Sequence, residues 1–555
     1  MINEIKSSHR NRFVKNIVSL LLILVLVMGL TGCSNNSVID HKKELNIQIT
    51  TFPATIDPQC VSDTVSSFVT GFFINGLYEY TADYRLVPGL AESKELSEDN
   101  LTVTFHLKDD IYFSNGSPIT SEDFVYAFQR IADPDVGSNA LYFITDCCKV
   151  KNADEVSTGK LPLSELGVSA PDKNTFVLEL IESCPYLDSL LTFPVFAPCS
   201  RSFVNSCGNE YATSPETMLY SGPFMLDRFE PLATQIHLVP NPYYHNKERS
   251  SLPGVNLQVV TDSQQAAMCF KTGLLDIINV TGEITDIALG DPRLTNFPSA
   301  AFQYINFNQK ECPALTNRNI RMALSKSIDR DSIAKNVLRL GYATLNRANP
   351  PGYFFEVDGT DFSKDTEYYY EYIGYDTGAA KTIWQQGLNE LGVSSIELSL
   401  YYNATMGNLA EAIKAQLEKN LSGLTVKLNP LTRKEYLSMS SSGTGFDLFL
   451  GGWFGDYEDP TTFFNLYLST GGKKVYNNPE YDRLMAESGS IESVKNPANR
   501  NKLLHQAEDI LMEDVGMIPL FFIESNYLIR DGVTNFLMTA TSTIVPAYIE
   551  KEVVD

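Results

Sequence analysis

Six histidines and two tryptophans are all that 555 residues contain, and the histidines are scattered without metal-ligand spacing. No Cys-x-x-Cys is present either, so a structural zinc site has no ligand set. Positive charge is scarce: 43 Lys plus Arg face 67 Asp plus Glu, a net charge of −24. Such a surface repels a phosphate backbone or an anionic lipid face, which argues against nucleic-acid binding. The motifs G-x-S-x-G, H-E-x-x-H, Walker A and a helix-opening G-x-G-x-x-G are missing as well. Hydrolase and nucleotide-binding readings are thereby left without a nucleophile, a metal or a phosphate cradle. No catalytic residue, metal ligand or cofactor is assigned.

What is present is enough for several cores. At about 150 residues per domain the length implies three to four domains, and 43% of the residues are hydrophobic. The 28 tyrosines and 31 phenylalanines suit surfaces that stack on ligands. Lys6, Arg10, Arg12 and Lys15 precede an uncharged stretch from Ile17 to Leu30. A membrane-spanning helix needs about 20 residues, so this shorter stretch reads as the apolar part of an export signal. It ends in Leu30-Thr31-Gly32-Cys33, which resembles the lipobox of bacterial lipoproteins. That resemblance implies cleavage of residues 1–32, diacylation of Cys33, and a tether over 33–44 that holds the exported protein to the cell membrane on its extracellular or periplasmic side. Eight further cysteines follow, and Cys199 with Cys207, enclosing a short loop, are the expected disulfide.

Alternation in Leu45-Asn-Ile-Gln-Ile predicts a strand leading into the Thr55-Ile-Asp-Pro58 turn, and Leu101, Val103, Phe105 and Leu107 predict a strand with one wet face. Asn115-Gly116 supplies a tight turn. Thr120 with Asp123 predicts a capped helix whose apolar face is Phe124, Ala127, Phe128 and Ile131. Ile320, Leu324 and Ile328 predict an amphipathic helix after Asn317, basic on its outer face. From Ile396 to Trp453 the pattern is β-α-β-α-β: Ile396–Leu400, a helix carrying Leu409, Ile413 and Leu417, Thr425–Leu428, a short helix near Arg433–Met439, and Phe446–Leu450. Such units form parallel sheets, and ligands sit beyond the carboxyl ends of their strands. Gly452, Trp453, Phe454 and Asp456 therefore lie at a ligand edge.

Asp456 is the carboxylate that this placement singles out. Following an apolar strand and a glycine-flanked Trp-Phe pair, it is partly desolvated and needs a partner. A ligand cation supplies one; an ammonium 3 to 4 Å away gains on the order of 4 kcal/mol at an effective dielectric of 20, before desolvation. Stabilisation of the turn into Asp459-Pro460, or pairing with a nearby Lys or Arg, supplies another. The residues alone leave these open.

Ordered segments along nearly the whole mature chain resemble the extracellular solute-binding proteins of family 5. They include Gly76-Leu-Tyr-Glu79, Leu86-Val-Pro-Gly-Leu-Ala-Glu-Ser93, Phe113-Ser-Asn-Gly-Ser-Pro-Ile-Thr-Ser-Glu-Asp-Phe-Val-Tyr-Ala-Phe128, Arg321-Met-Ala-Leu-Ser-Lys-Ser-Ile-Asp-Arg330 and Trp453-Phe-Gly-Asp-Tyr-Glu-Asp-Pro460. The resemblance implies an α/β fold: a two-lobed clamp like the type II periplasmic-binding proteins, with an additional β-rich domain, closing by hinge motion. The implied domains are 45–74, 200–301 and 522–555 for a discontinuous first lobe, 75–199 for the extra domain, and 302–521 for the second lobe. It further implies a monomeric receptor that hands short peptides to the permease and ATPases of an ABC importer. In this family's peptide receptors the Asp of Trp-x-x-Asp pairs with the ligand α-ammonium, which matches Asp456. The peptide backbone is held like an added strand between Gly452–Phe454 and the stretch Val61–Thr64, here with Ser62 and Thr64. Tyr142 is a candidate pocket wall, or else a core aromatic. Leu450, three residues before Trp453, leaves the residue that binds a ligand carboxylate open. Relatives that take a signalling peptide, a metal chelate, haem or an oligosaccharide mark the alternative cargoes, and a secreted peptide hydrolase marks the alternative class.

Overall fold

The computed structural model describes residues 43–230, 234–339, 341–364, 367–470 and 475–553; the expected signal segment, Cys33 and most of the expected tether lie outside them. Its backbone is an eleven-stranded mixed sheet that runs through both ends of the molecule. The strand order is Leu424–Leu431, Ile396–Asn403, Leu448–Phe454, Leu294–Phe307, Met517–Ile529, Ile277–Asn279, Leu45–Ile49, Val255–Val259, Gln235–Pro240 and Phe224–Arg228, with Tyr342–Thr344 added beside Met517–Ile529.

The β-α-β-α-β pattern forms as its periodicity predicts. Ile396–Asn403 pairs in parallel with Leu424–Leu431 on one side and Leu448–Phe454 on the other. The connecting helix Gly407–Asn420 buries Leu409, Ile413 and Leu417. Leu45–Ile49 is a central strand, parallel to Val255–Val259 and to Ile277, and is buried on both faces rather than alternating wet and dry.

Two long antiparallel strands, Leu294–Phe307 and Met517–Ile529, carry the sheet from one half to the other. Their pairing shifts register between Pro298 and Phe302, so the crossing contains an irregularity at its middle. On one side of it lies a core around Ile47, Phe72, Leu238 and Ile277, and on the other a core around Phe302, Trp384, Leu398 and Phe521.

A third core belongs to a separate antiparallel sheet in the order Ala91–Leu96, Thr102–Leu107, Thr175–Glu179, Val168–Asp172. Thr102–Leu107 alternates between partly exposed and buried residues. The helix Ser121–Ala132 packs on it through Phe124 and Phe128, both against Phe176, and starts with the Thr120/Asp123 capping box. Two buried residues from other parts of the chain join this core: Val61, and Tyr457, stacked on Tyr186 with ring centroids 3.7 Å apart.

Two expectations are corrected. Cys199 and Cys207 form no disulfide; the eight described cysteines are all free. Cys199 is buried, with its Sγ turned to the Tyr211 hydroxyl at 3.5 Å and to Arg130 Nη1 at 3.8 Å. The helix Arg318–Lys326 is amphipathic, but Arg321 and Lys326 are buried. Arg321 faces inward because carbonyls of Leu315, Thr316, Asp514 and Val515, with the Asp514 carboxylate, satisfy its guanidinium.

Two other buried carboxylates are paired with arginines. Glu508 meets Arg347, and Asp459 receives two bonds from Arg500 at 2.7 and 2.8 Å. Removing one member leaves the other desolvated and alone, which typically costs about 3 to 5 kcal/mol. Arg500→Met is therefore expected to lower unfolding stability by about 3 kcal/mol in urea denaturation; a loss below about 1 kcal/mol would contradict the pairing of Asp459 with Arg500.

Candidate functional site

The three cores converge on a cleft at the carboxyl end of Leu448–Phe454. A cavity of about 240 Å³ is lined there by Ser62, Thr64, Tyr142, Phe454, Asp456 and Thr541, among others. A second cavity of about 240 Å³ shares Thr64 and continues past Ser542 towards Gln48, Asn279, Ser525 and Tyr527. No Lys, Arg or His is among the described residues that line either one.

The stretch Val61–Thr64 is positioned by charge. Asp57 accepts from the Gln59 N–H and takes a bidentate pair from Arg130, at 3.0 and 2.8 Å. Arg130 lies on the Ser121–Ala132 helix and also donates to the Gln59 side chain, so the turn before Val61 is locked to the extra sheet's helix. Asp63 then caps the helix Thr64–Thr70, accepting from the N–H groups of Val65 and Ser66. Ser62 and Thr64 remain exposed on the cleft side of this locked turn.

Leu448–Phe454 offers the opposite wall. Its whole length pairs with Leu294–Phe307, whereas Ile396–Asn403 covers its other edge only from Leu448 to Leu450. From Gly451 onward that second edge has no strand partner among the described residues. Gly455 donates towards Ala300 and Gly452 donates the other way, to the Tyr436 hydroxyl at 3.0 Å. Strand alternation therefore turns the main-chain N–H of Phe454 to the open edge.

Asp456 sits at the end of that edge, partly buried. Its N–H donates to Thr462 Oγ1, which also accepts from the Trp453 indole, so one hydroxyl orients both. The carboxylate accepts from the Tyr142 hydroxyl at 3.1 Å. Among the described residues it forms no ion pair with Lys, Arg or His. Burial pushes its pKa up to about 6, against the lowering effect of the Tyr142 bond. The turn into Pro460 belongs to Asp459 instead, which bonds the Thr461 N–H and hydroxyl as well as Arg500. Two neighbouring carboxylates thus have different fates: one is neutralised within the protein and the other is held by a phenol alone.

The cleft brings together Asp456, Phe454, Ser62, Thr64 and Tyr142. Tyr142 is 42% exposed, a wall rather than a core residue. Gly452 and Trp453 lie up-strand, outside the cavity's lining; the Gly452 N–H donates to the Tyr436 hydroxyl and the Trp453 indole to Thr462. Sequence reasoning missed Asp63, Asn139, Thr541 and the Tyr436 hydroxyl. Asn139, Thr541 and Tyr436 depend on chain crossings that no local pattern marks, whereas Asp63, inside the stretch Val61–Thr64, was readable as a cap before an apolar helix.

Among the described residues, no helix is long and apolar enough to cross a membrane. Residues 85–475 match the family of bacterial extracellular solute-binding proteins, family 5. The chain is 30% identical to a dipeptide-binding protein of Lactococcus lactis subsp. cremoris, over 93% of this chain and 96% of the relative. Among solved structures it resembles Listeria monocytogenes OppA bound to peptide, with a TM-score of 0.68 at 29% identity, covering 92% of this chain and 99% of that one. It also resembles the unliganded open form of the periplasmic murein tripeptide-binding protein MppA, with a TM-score of 0.78 at 26% identity, covering 93% and 99%. The higher score comes with the lower identity.

Proposed function

The chain belongs to the bacterial extracellular solute-binding proteins of family 5, and from that premise we propose that it is the peptide receptor of an ABC importer. A short peptide enters with its α-ammonium against Asp456 and its backbone along the uncovered edge from Gly452 to Phe454, facing Ser62 and Thr64. The Asp456 carboxylate carries this reading, because it is desolvated without a cation among the described residues. Main-chain pairing reads groups common to every residue, so the receptor tolerates varied sequences. The receptor captures and releases; it does not cleave.

Two lobes and an extra domain make the clamp: residues 45–74, 200–301 and 522–555, then 302–521, with 75–199 as the addition. The separate cores on either side of the register shift, and the third around Phe105 and Phe176, support this division. Closure about the crossing strands brings the walls onto the peptide. A diacylated Cys33 holds the monomeric receptor at the outer side of the cell membrane, where it meets the permease and its ATPases.

Calorimetry with an equimolar tripeptide mixture tests the reading. Losing one partner of a desolvated charge pair costs about 2 to 5 kcal/mol, so Asp456→Asn should weaken apparent affinity by roughly 30-fold or more. The ammonium needs the ionised carboxylate, whose pKa is about 6 before ligand arrives. Wild-type affinity should therefore be full above about pH 7 and fall about tenfold by pH 5. Wild-type affinity in Asp456→Asn would overturn the ammonium contact. The anchor has its own test: Cys33→Ala is expected to release the protein from the membrane fraction into the medium or periplasm, and retention would count against lipidation.

A further inference from the structure

Tyr84 holds a backbone conformation that a bulky side chain rarely adopts, with φ +59° in the turn between the strands Tyr78–Tyr80 and Leu86–Pro88. The turn is closed by the bonds from the Tyr84 N–H to the Thr81 carbonyl and from the Thr81 N–H to the Arg85 carbonyl. Tyr84 stacks on Tyr80 at 5.1 Å, and its hydroxyl is carried to a point where three parts of the chain meet.

That hydroxyl donates to Glu458 Oε1 at 2.5 Å and accepts from the Ala540 N–H at 3.0 Å. The Ala540 carbonyl accepts from the Ala300 N–H at 2.8 Å, and the Ala300 carbonyl accepts from the Gly455 N–H at 2.8 Å. Gly455 and Glu458 are the flanks of Asp456, so these bonds close a ring around the loop that presents the carboxylate. Ala300 lies within the register shift of the crossing strands, where the two halves of the sheet meet. Thr541, next to Ala540, lines the cleft opposite Asp456. Within this ring the Tyr84 hydroxyl joins the Ala540 main chain to the Glu458 carboxylate, which also takes a bond from Tyr80.

We propose that Tyr84 is a positioning residue for ligand capture, its hydroxyl setting the place of Asp456 and the width of the cleft at the ammonium end. The strained backbone fits this role, since strain persists where surrounding contacts over-determine it and collects at ligand clamps. An aromatic chosen only to fill space does not need a hydroxyl shared between Glu458 and Ala540. The proposal rests on the reading of Asp456 as the ammonium partner.

Calorimetry on wild type, Tyr84→Phe and Asp456→Asn separates the two, using the equimolar tripeptide mixture and the same mixture N-acetylated. Tyr84→Phe keeps the ring stack and removes the hydroxyl. It is expected to weaken the free-amine mixture about tenfold and to leave the acetylated mixture at its wild-type affinity. Unchanged free-amine affinity in Tyr84→Phe beside a weakened Asp456→Asn would overturn the positioning role alone. Equal losses for both mixtures would also overturn it, by showing a general structural effect. An unaffected Asp456→Asn would overturn the ammonium reading and this proposal with it. Should Tyr84→Phe fail to fold, Tyr84→Asn, which accepts φ > 0 more readily, is expected to fold and to show the same selective loss; wild-type affinity in that variant would contradict the proposal.

Discussion

A carboxylate stripped of water needs a positive partner, and Asp456 has none of its own among the described residues. Glu458, two residues on, is likewise partly buried and held among the described residues by the Tyr80 and Tyr84 hydroxyls alone, but Asp456 is the one of the two that lines the cleft. Asp57, Asp459 and Glu508 are also withdrawn from solvent, and each is met by an arginine of the same chain. Burying a carboxylate beside a phenol is tolerated because a hydrogen bond offsets part of the desolvation, yet the carboxyl pKa still stands near 6. On the proposed reading, the ammonium of an arriving peptide supplies the missing positive charge.

The rest of the fold places this one group. The β-α-β-α-β unit ends its third strand at the cleft, and the early departure of Ile396–Asn403 leaves that strand's last residues uncovered. Arg130 reaches from the extra domain's helix to Asp57 and fixes the facing turn. Tyr457 and Tyr186 stack across the junction, and Glu458 is held by the Tyr84 hydroxyl. The loop bearing Asp456 is therefore tied to the extra domain as well as to its own sheet. Val61 of the facing turn and Tyr457 of the Asp456 loop both enter the extra domain's core, so the two walls meet through it.

Much of this was legible in the chain before any coordinates. Strand and helix periodicity located the parallel unit from Ile396 to Phe454, and the rule that ligands gather at carboxyl ends of strands pointed to Asp456. The cap at Thr120 and the wet-faced strand at Thr102–Leu107 were equally local, and local signals survive folding. What failed was non-local. Cys199 and Cys207 are close in sequence, but the Cys199 Sγ faces Arg130 of a distant helix together with the nearby Tyr211. The outward basic face after Asn317 turned inward at Arg321 because distant carbonyls from Asp514 and Val515 receive it. The Tyr84 ring draws on residues near positions 84, 300, 456 and 540, and no periodicity in one stretch reports on the other three.

The decisive measurement is a crystal structure of the closed protein with the peptide that co-purifies with it. The peptide's terminal nitrogen should lie within hydrogen-bonding distance of the Asp456 carboxylate, with its backbone paired to Phe454. A ligand bound elsewhere, or an Asp456 closed onto a lysine or arginine of its own chain, would contradict the account.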